Sequence, residues 1–154
     1  MTRNSDFKQV VRARSAATGE GYAAARAALE QEARDAARTE QERLVGRLFT
    51  DGRIERVPAK RKVRVAVLLE VLRRFEPGRD YSEREVNQVL LEVHEDVAYL
   101  RRELVNYRYL ERADGRYRTA AQAPARSVIE RQEIPACEAY WLPGFLSGAF
   151  PRER

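Results

Sequence analysis

Few side chains in this sequence are of the kinds that make or break covalent bonds. Its one histidine, His94, opens "HED", which lacks the second imidazole one helical turn on that a zinc pair needs. Its one cysteine, Cys137, has no thiol partner for a disulfide or a metal cage. Glu92, Glu95, Asp96 and Glu103 lie close together, but on a helix such a run is more often a solvated face than an acid–base pair. No glycine-rich loop followed by Lys-Ser/Thr is present to cradle a phosphate. The expectation is a protein that is not an enzyme and uses neither metal nor cofactor.

What the sequence does carry is recognition chemistry. In "VHEDVAYLRRELVNYRYLERADGRYR", 93–118, a helix over about 95–107 gathers Val97, Leu100 and Leu104 on one face, with Tyr99, Arg102 and Asn106 opposite. Arg and Asn are the side chains whose planar ends make two-pronged pairs with guanine and adenine edges. Glu95 shares that side and counts against phosphate. After the helix come Arg108, Arg112, Arg116 and Arg118, cations suited to phosphate or minor-groove contact, on a hairpin that turns at Asp114-Gly115. A second cluster, Lys60, Arg61, Lys62 and Arg64, opens another helix at the positive end of its macrodipole, where bases do not stabilise it. Those four are expected to meet phosphate or a carboxylate-rich partner, with salt bridges to the acids of 76–96 as the alternative.

The charge distribution agrees with this division. The net charge is only +5, but residues 51–75 carry eight basic and three acidic side chains, 76–96 two and seven, and 97–120 six and three. A polyanion should meet the first and third stretches and avoid the second.

A helix is expected over 5–16 with Ser5 as N-cap, broken by "TGEG" at 18–21. A long helix follows from about Tyr22 to Phe49, its apolar stripe thin and interrupted at Thr39–Glu42. "TDGRIERVP", 50–58, reads as a turn and a short strand, and 59–75 as a helix with a broad apolar face. "SEREVNQVLLEV", 82–93, begins with a capping box, Ser82 and Glu85. His94 falls at the edge of the next helix or caps it. The order strand, helix, helix, helix, hairpin is that of a winged helix.

The pieces "GRIERVPAKRK", "RFEPGRDYSEREVN" and "HEDVAYLRRELVNYRYLER" together resemble a bacterial family, domain of unknown function 2087, over residues 51–118. That resemblance implies a winged-helix-like fold and a regulatory protein, and it assigns no site. The expected class is mainly α (α+β). A helical arm over 1–49 precedes a winged-helix-like domain over 50–119, then a linker, 120–126, and an apolar tail, 127–154. The expected partner is double-stranded DNA, bound by a dimer. The alternative is an interaction module whose arm and tail dock another protein, with the winged helix as scaffold.

The tail gathers Tyr140, Trp141, Leu142, Phe145, Leu146 and Phe150, and Pro143-Gly144 should split it into two short pieces. Its expected cover is the long helix, through positions such as Leu29, within one chain or across a dimer. No apolar run approaches the roughly 18 residues that span a bilayer. The N-terminus lacks the apolar centre of a signal peptide, and a single thiol fits the reducing cytoplasm.

Overall fold

The computed structural model describes residues 3–149. The chain divides into two compact units after Ala36. The first holds α1 (Arg3–Thr18) and the opening of α2 (Tyr22–Val45). Between them Gly19 takes a φ of 77°, and its N–H closes α1 on the Ser15 carbonyl at 3.0 Å. Val11 and Ala25 are fully buried, and Arg14 pairs with Glu20 and Glu32. Ser5 is not the N-cap: α1 begins two residues earlier, and Asp6 supplies the acidic side chain that its first turn favours.

The second unit begins with the last turns of α2. Ala37, Gln41 and Val45 are buried at four-residue spacing, so the apolar stripe continues through a polar side chain. Gln41 is tolerated there because its Nε2 donates to the Ala66 carbonyl (2.8 Å) and to Glu70 (3.0 Å). The helix ends at Val45 and not near Phe49. A Cβ at Gly46 would stand 2.6 Å from the Glu42 carbonyl oxygen, so only glycine passes over that turn.

Phe49 instead enters β1 (Phe49–Thr50), which pairs with β2 (Arg53–Ile54) around Asp51 and Gly52, at φ 51° and 78°. The single strand expected in 50–58 is therefore a hairpin with a type I′ turn. Ile54 is buried, and its N–H donates to the Val93 carbonyl at 2.9 Å.

α3 (Arg61–Leu72) is the central helix, with Val65 through Leu69, Val71 and Leu72 all buried. From Val65 to Leu72 only Glu70 escapes burial, so this part of the helix lies inside. β3 (Tyr81–Ser82) leads directly into α4 (Glu83–Leu91). The Ser82 hydroxyl accepts from the Glu85 N–H at 3.1 Å, the cap the sequence predicts. α5 (Val97–Asn106) is capped by Asp96, whose carboxylate accepts from the Tyr99 N–H at 3.2 Å. His94 does not cap α5 itself; its Nδ1 accepts from the Asp96 N–H at 3.0 Å and steadies the residue that does.

β4 (Leu110–Ala113) and β5 (Arg116–Thr119) form the expected hairpin. Asp114 and Gly115 at φ 52° and 72° make it a type I′ turn. Nothing in the sequence announces β3, which pairs with β5 to give an antiparallel sheet of order β3-β5-β4. The fold is mainly helical with two small antiparallel sheets, an α+β chain as expected.

Two helices follow. α6 (Val128–Arg131) starts with a complete capping box between Ser127 and Glu130. α7 (Cys137–Leu146) runs through Pro143 without a break, contrary to the expected split there. The missing proline N–H strands only the Ala139 carbonyl, and both residues lie on the exposed side of the helix. Leu142, fully buried on the other side, together with the stacked Trp141 and Phe145 rings (4.6 Å), holds it in place.

Candidate nucleic-acid interface

The β4–β5 hairpin stands beside α5, and between them lies a groove of about 240 Å³. Arg101, Arg102, Val105 and Asn106 line it from the helix, Arg112 and Tyr117 from the strands. The cross-strand register explains the strand contribution. Arg112 opposes Tyr117 and Leu110 opposes Thr119, so these four share the face toward the helix. Glu111, Arg118, Ala113 and Arg116 share the other.

The four hairpin arginines are thus divided. Arg112 enters the groove with its guanidinium 5.7 Å from the Tyr117 ring centroid. Arg116 and Arg118 point away; Arg118 lies 3.5 Å from Asp80, and Arg116 has no side-chain partner among the described residues. Arg108 precedes β4 at a φ of 64° and donates to the Ala125 carbonyl at 2.9 Å, which draws it out of the cationic face.

On α5, Arg102 is exposed and unpaired among the described residues, while Asn106 is exposed and donates to Glu103 at 3.2 Å. Tyr99 does not join them. It is half-buried against the core near Arg64, and burial raises the pKa of its hydroxyl. Sequence reasoning missed Arg101, Val105 and Tyr117. Arg101 is held by Glu83 (3.0 Å) and Asn87. Its spacing to Val105 was the available signal, one turn of helix flanking Arg102 and Asn106.

The cluster that opens α3 is largely occupied. Arg61 pairs with Glu133, Lys62 with Glu40 (3.3 Å) and Arg64 with Glu103 (3.3 Å), leaving Lys60 exposed and unpaired among the described residues. These partners come from α2, α5 and the tail, not from 76–96. The acids of that stretch serve other arginines: Glu83 holds Arg101, Glu85 holds Arg79, Glu92 lies near Arg74, and Asp80 lies near Arg118.

A larger and more polar groove, about 450 Å³, runs between Arg47, Arg53, Glu55, His94 and Glu95. Among the described residues no three His, Cys, Asp or Glu side chains are grouped to hold a metal. No described helix is long and apolar enough to cross a membrane.

Of the apolar tail, Leu142 is buried, and Phe145 and Leu146 pack against the core. Trp141 is half-buried with the Arg73 guanidinium 4.5 Å from its ring. Tyr140 remains 43% exposed, and Phe150 lies outside the described residues. The Ala136 N–H donates to Glu40 of α2 at 2.9 Å. Leu29, in the first unit, is half-buried.

Residues 53–119 match the family model of domain of unknown function 2087, described as an uncharacterized protein conserved in bacteria. No curated protein and no solved structure matches the chain.

Proposed function

We propose that this chain, whose residues 53–119 are a domain of that bacterial family, is a DNA-binding regulator in which the domain works as a winged helix. The element order supports this reading: α3, β3, α4, α5, then the β4–β5 hairpin, with the sheet ordered β3-β5-β4. In such a fold α5 is the helix that enters the major groove, and the hairpin is the wing beside it.

The observation that carries the proposal is the convergence of Arg102, Asn106 and Arg112 on one groove between helix and wing. Arg102 and Asn106 carry the donors and acceptors that read guanine and adenine edges. Arg112 lies where a phosphate flanking those bases would pass, and Arg116 on the far face of the wing reaches the backbone beyond. Four of the acids of 76–96 are engaged with arginines and do not confront a duplex as free charges, whereas exposed Glu95 still counts against phosphate beside α5.

The test is a titration of the full chain against mixed-sequence duplexes at two salt concentrations. Affinity should fall steeply with salt, with a slope equivalent to about three or four released counterions. Absence of binding, or binding that ignores salt, defeats the proposal.

A second reading, docking of a protein partner, has one observation in its favour. Val128 and Ile129 on α6 are 71% and 78% exposed. Binding through that apolar pair would be nearly independent of salt and lost in Ile129→Asp.

A further inference from the structure

The joint between α5 and the wing is held from outside the family segment. The chain leaves α5 at Tyr107 and enters β4 through Arg108, in the left-handed region, and Tyr109. The Tyr109 N–H closes on the Leu104 carbonyl, and the Tyr109 carbonyl accepts from the Ala120 N–H, each at 2.9 Å.

Side chains of the linker and the tail reach this joint. Arg126 donates through Nη2 to the Tyr107 carbonyl at 2.7 Å. It also grips Glu138 with two prongs, Nε to Oε1 and Nη2 to Oε2, each 3.0 Å. The Tyr109 hydroxyl donates to the same carboxylate. Tyr109 is fully buried, and the Arg126 and Glu138 side chains are 6% and 7% exposed. The Arg108 bond to the Ala125 carbonyl adds a third tie between the joint and 125–138.

Burying a carboxylate, a guanidinium and a phenol together carries a large desolvation cost, offset only when every donor and acceptor meets its partner. Such a network tolerates one arrangement and penalises its neighbours. Here that arrangement is the angle at which the wing leaves α5.

We infer that residues 125–138 form a clasp that positions the wing against α5, so that Arg126 and Glu138, though neither lines the groove, set how well it fits a duplex. The geometric part stands on the buried network alone; the effect on binding rests on the DNA reading above. Arg126 and Glu138 are positioning residues, since both act through Tyr107 and Tyr109.

The experiment compares the full chain with Glu138→Gln and Arg126→Lys by amide NMR without DNA and by titration with a mixed-sequence duplex. Ile54→Val serves as a core variant away from the joint. Glu138→Gln keeps the side-chain volume but loses the charge. Arg126→Lys keeps the charge but loses the fork, and it takes both measurements if Glu138→Gln does not fold. The expected result is that amide shifts change chiefly at 107–119 and that the duplex binds about tenfold more weakly, a loss of preorganisation. Ile54→Val should change neither.

Unchanged affinity in folded clasp variants, or shift changes spread evenly through the core, would overturn the inference. If the wild type leaves the duplex unbound, the DNA reading fails and the amide shifts alone decide the clasp. Changes confined to 107–119 then sustain it, and dispersed changes defeat it.

Discussion

Arg64 of α3 and Glu103 of α5 stand 3.3 Å apart, each side chain only 17% exposed. Arg64 also donates to the Ala59 carbonyl at 2.9 Å. A cation that the sequence offers for phosphate therefore serves to fix α5 against the central helix. Arg64→Ala should cost about 1–3 kcal/mol of stability, because Glu103 is left largely buried without its cation, with only the Asn106 amide still donating to it. Affinity for a duplex should change little once the variant is folded. Urea unfolding beside a duplex titration checks this, and an unchanged midpoint with a large affinity loss would return Arg64 to the interface.

Residues within the groove should behave in the opposite way. Arg102→Ala and Asn106→Ala should each cost about 1–3 kcal/mol of duplex binding and relax preference at one base position. Arg116→Ala should weaken all sequences alike and lower the salt slope by roughly one. None of the three is buried, so their melting temperatures should stay within a degree or two of wild type. Titrating each variant against several duplexes at two salt concentrations separates base reading from phosphate contact.

The parts of this fold legible in the sequence are those set by local chemistry. Asp114-Gly115 specified its turn type, Ser82 its cap, and the spacing of Leu100 and Leu104 the inward face of α5. What escaped depends on residues distant in sequence. β3 is two residues long and exists because β5 lies beside it. Gln41 looked like a gap in a stripe until Ala66 and Glu70 supplied its partners. Pro143 looked like a breaker, yet tertiary packing through Leu142 outweighed one lost hydrogen bond. The candidate site was half legible. The helical wheel places Arg102 and Asn106 together, and strand alternation alone separates Arg112 from Arg116 and Arg118.

Cys137 offers a check on the packing of α7. Burial pushes its thiol pKa up to about 11, from an ordinary value of 9.0. A group held neutral in the fold contributes stability that is complete below its unfolded pKa and lost as pH rises through the folded value. Stability should accordingly decline between about pH 9 and 11, and Cys137→Val should flatten part of that decline. The Tyr109 and Tyr99 hydroxyls, both raised by burial, act in the same direction. A native thiol that reacts with an aromatic disulfide reagent as fast as the urea-unfolded chain would contradict the burial outright.

The tail gives the last prediction, since the family segment ends at Thr119 while the core does not. Leu142 and Cys137 are buried in the same cluster as Leu68, Leu72 and Tyr109. Leu142→Ala should cost about 2–4 kcal/mol, the transfer loss of the side chain plus the cavity it leaves. A chain cut after Thr119 loses more than that. It bares the surface beneath α7, and it leaves the Tyr109 hydroxyl and the Tyr107 carbonyl without Glu138 and Arg126. Residues 53–119 alone should therefore unfold at a much lower midpoint than the full chain, or without a cooperative transition. A fragment spanning 37–149 should keep most of the stability, because it retains the α2 turns around Gln41 as well as the clasp. Urea unfolding of the two fragments and the full chain, followed by circular dichroism, decides the matter. Equal midpoints for 53–119 and the full chain would show the tail to be dispensable for the fold.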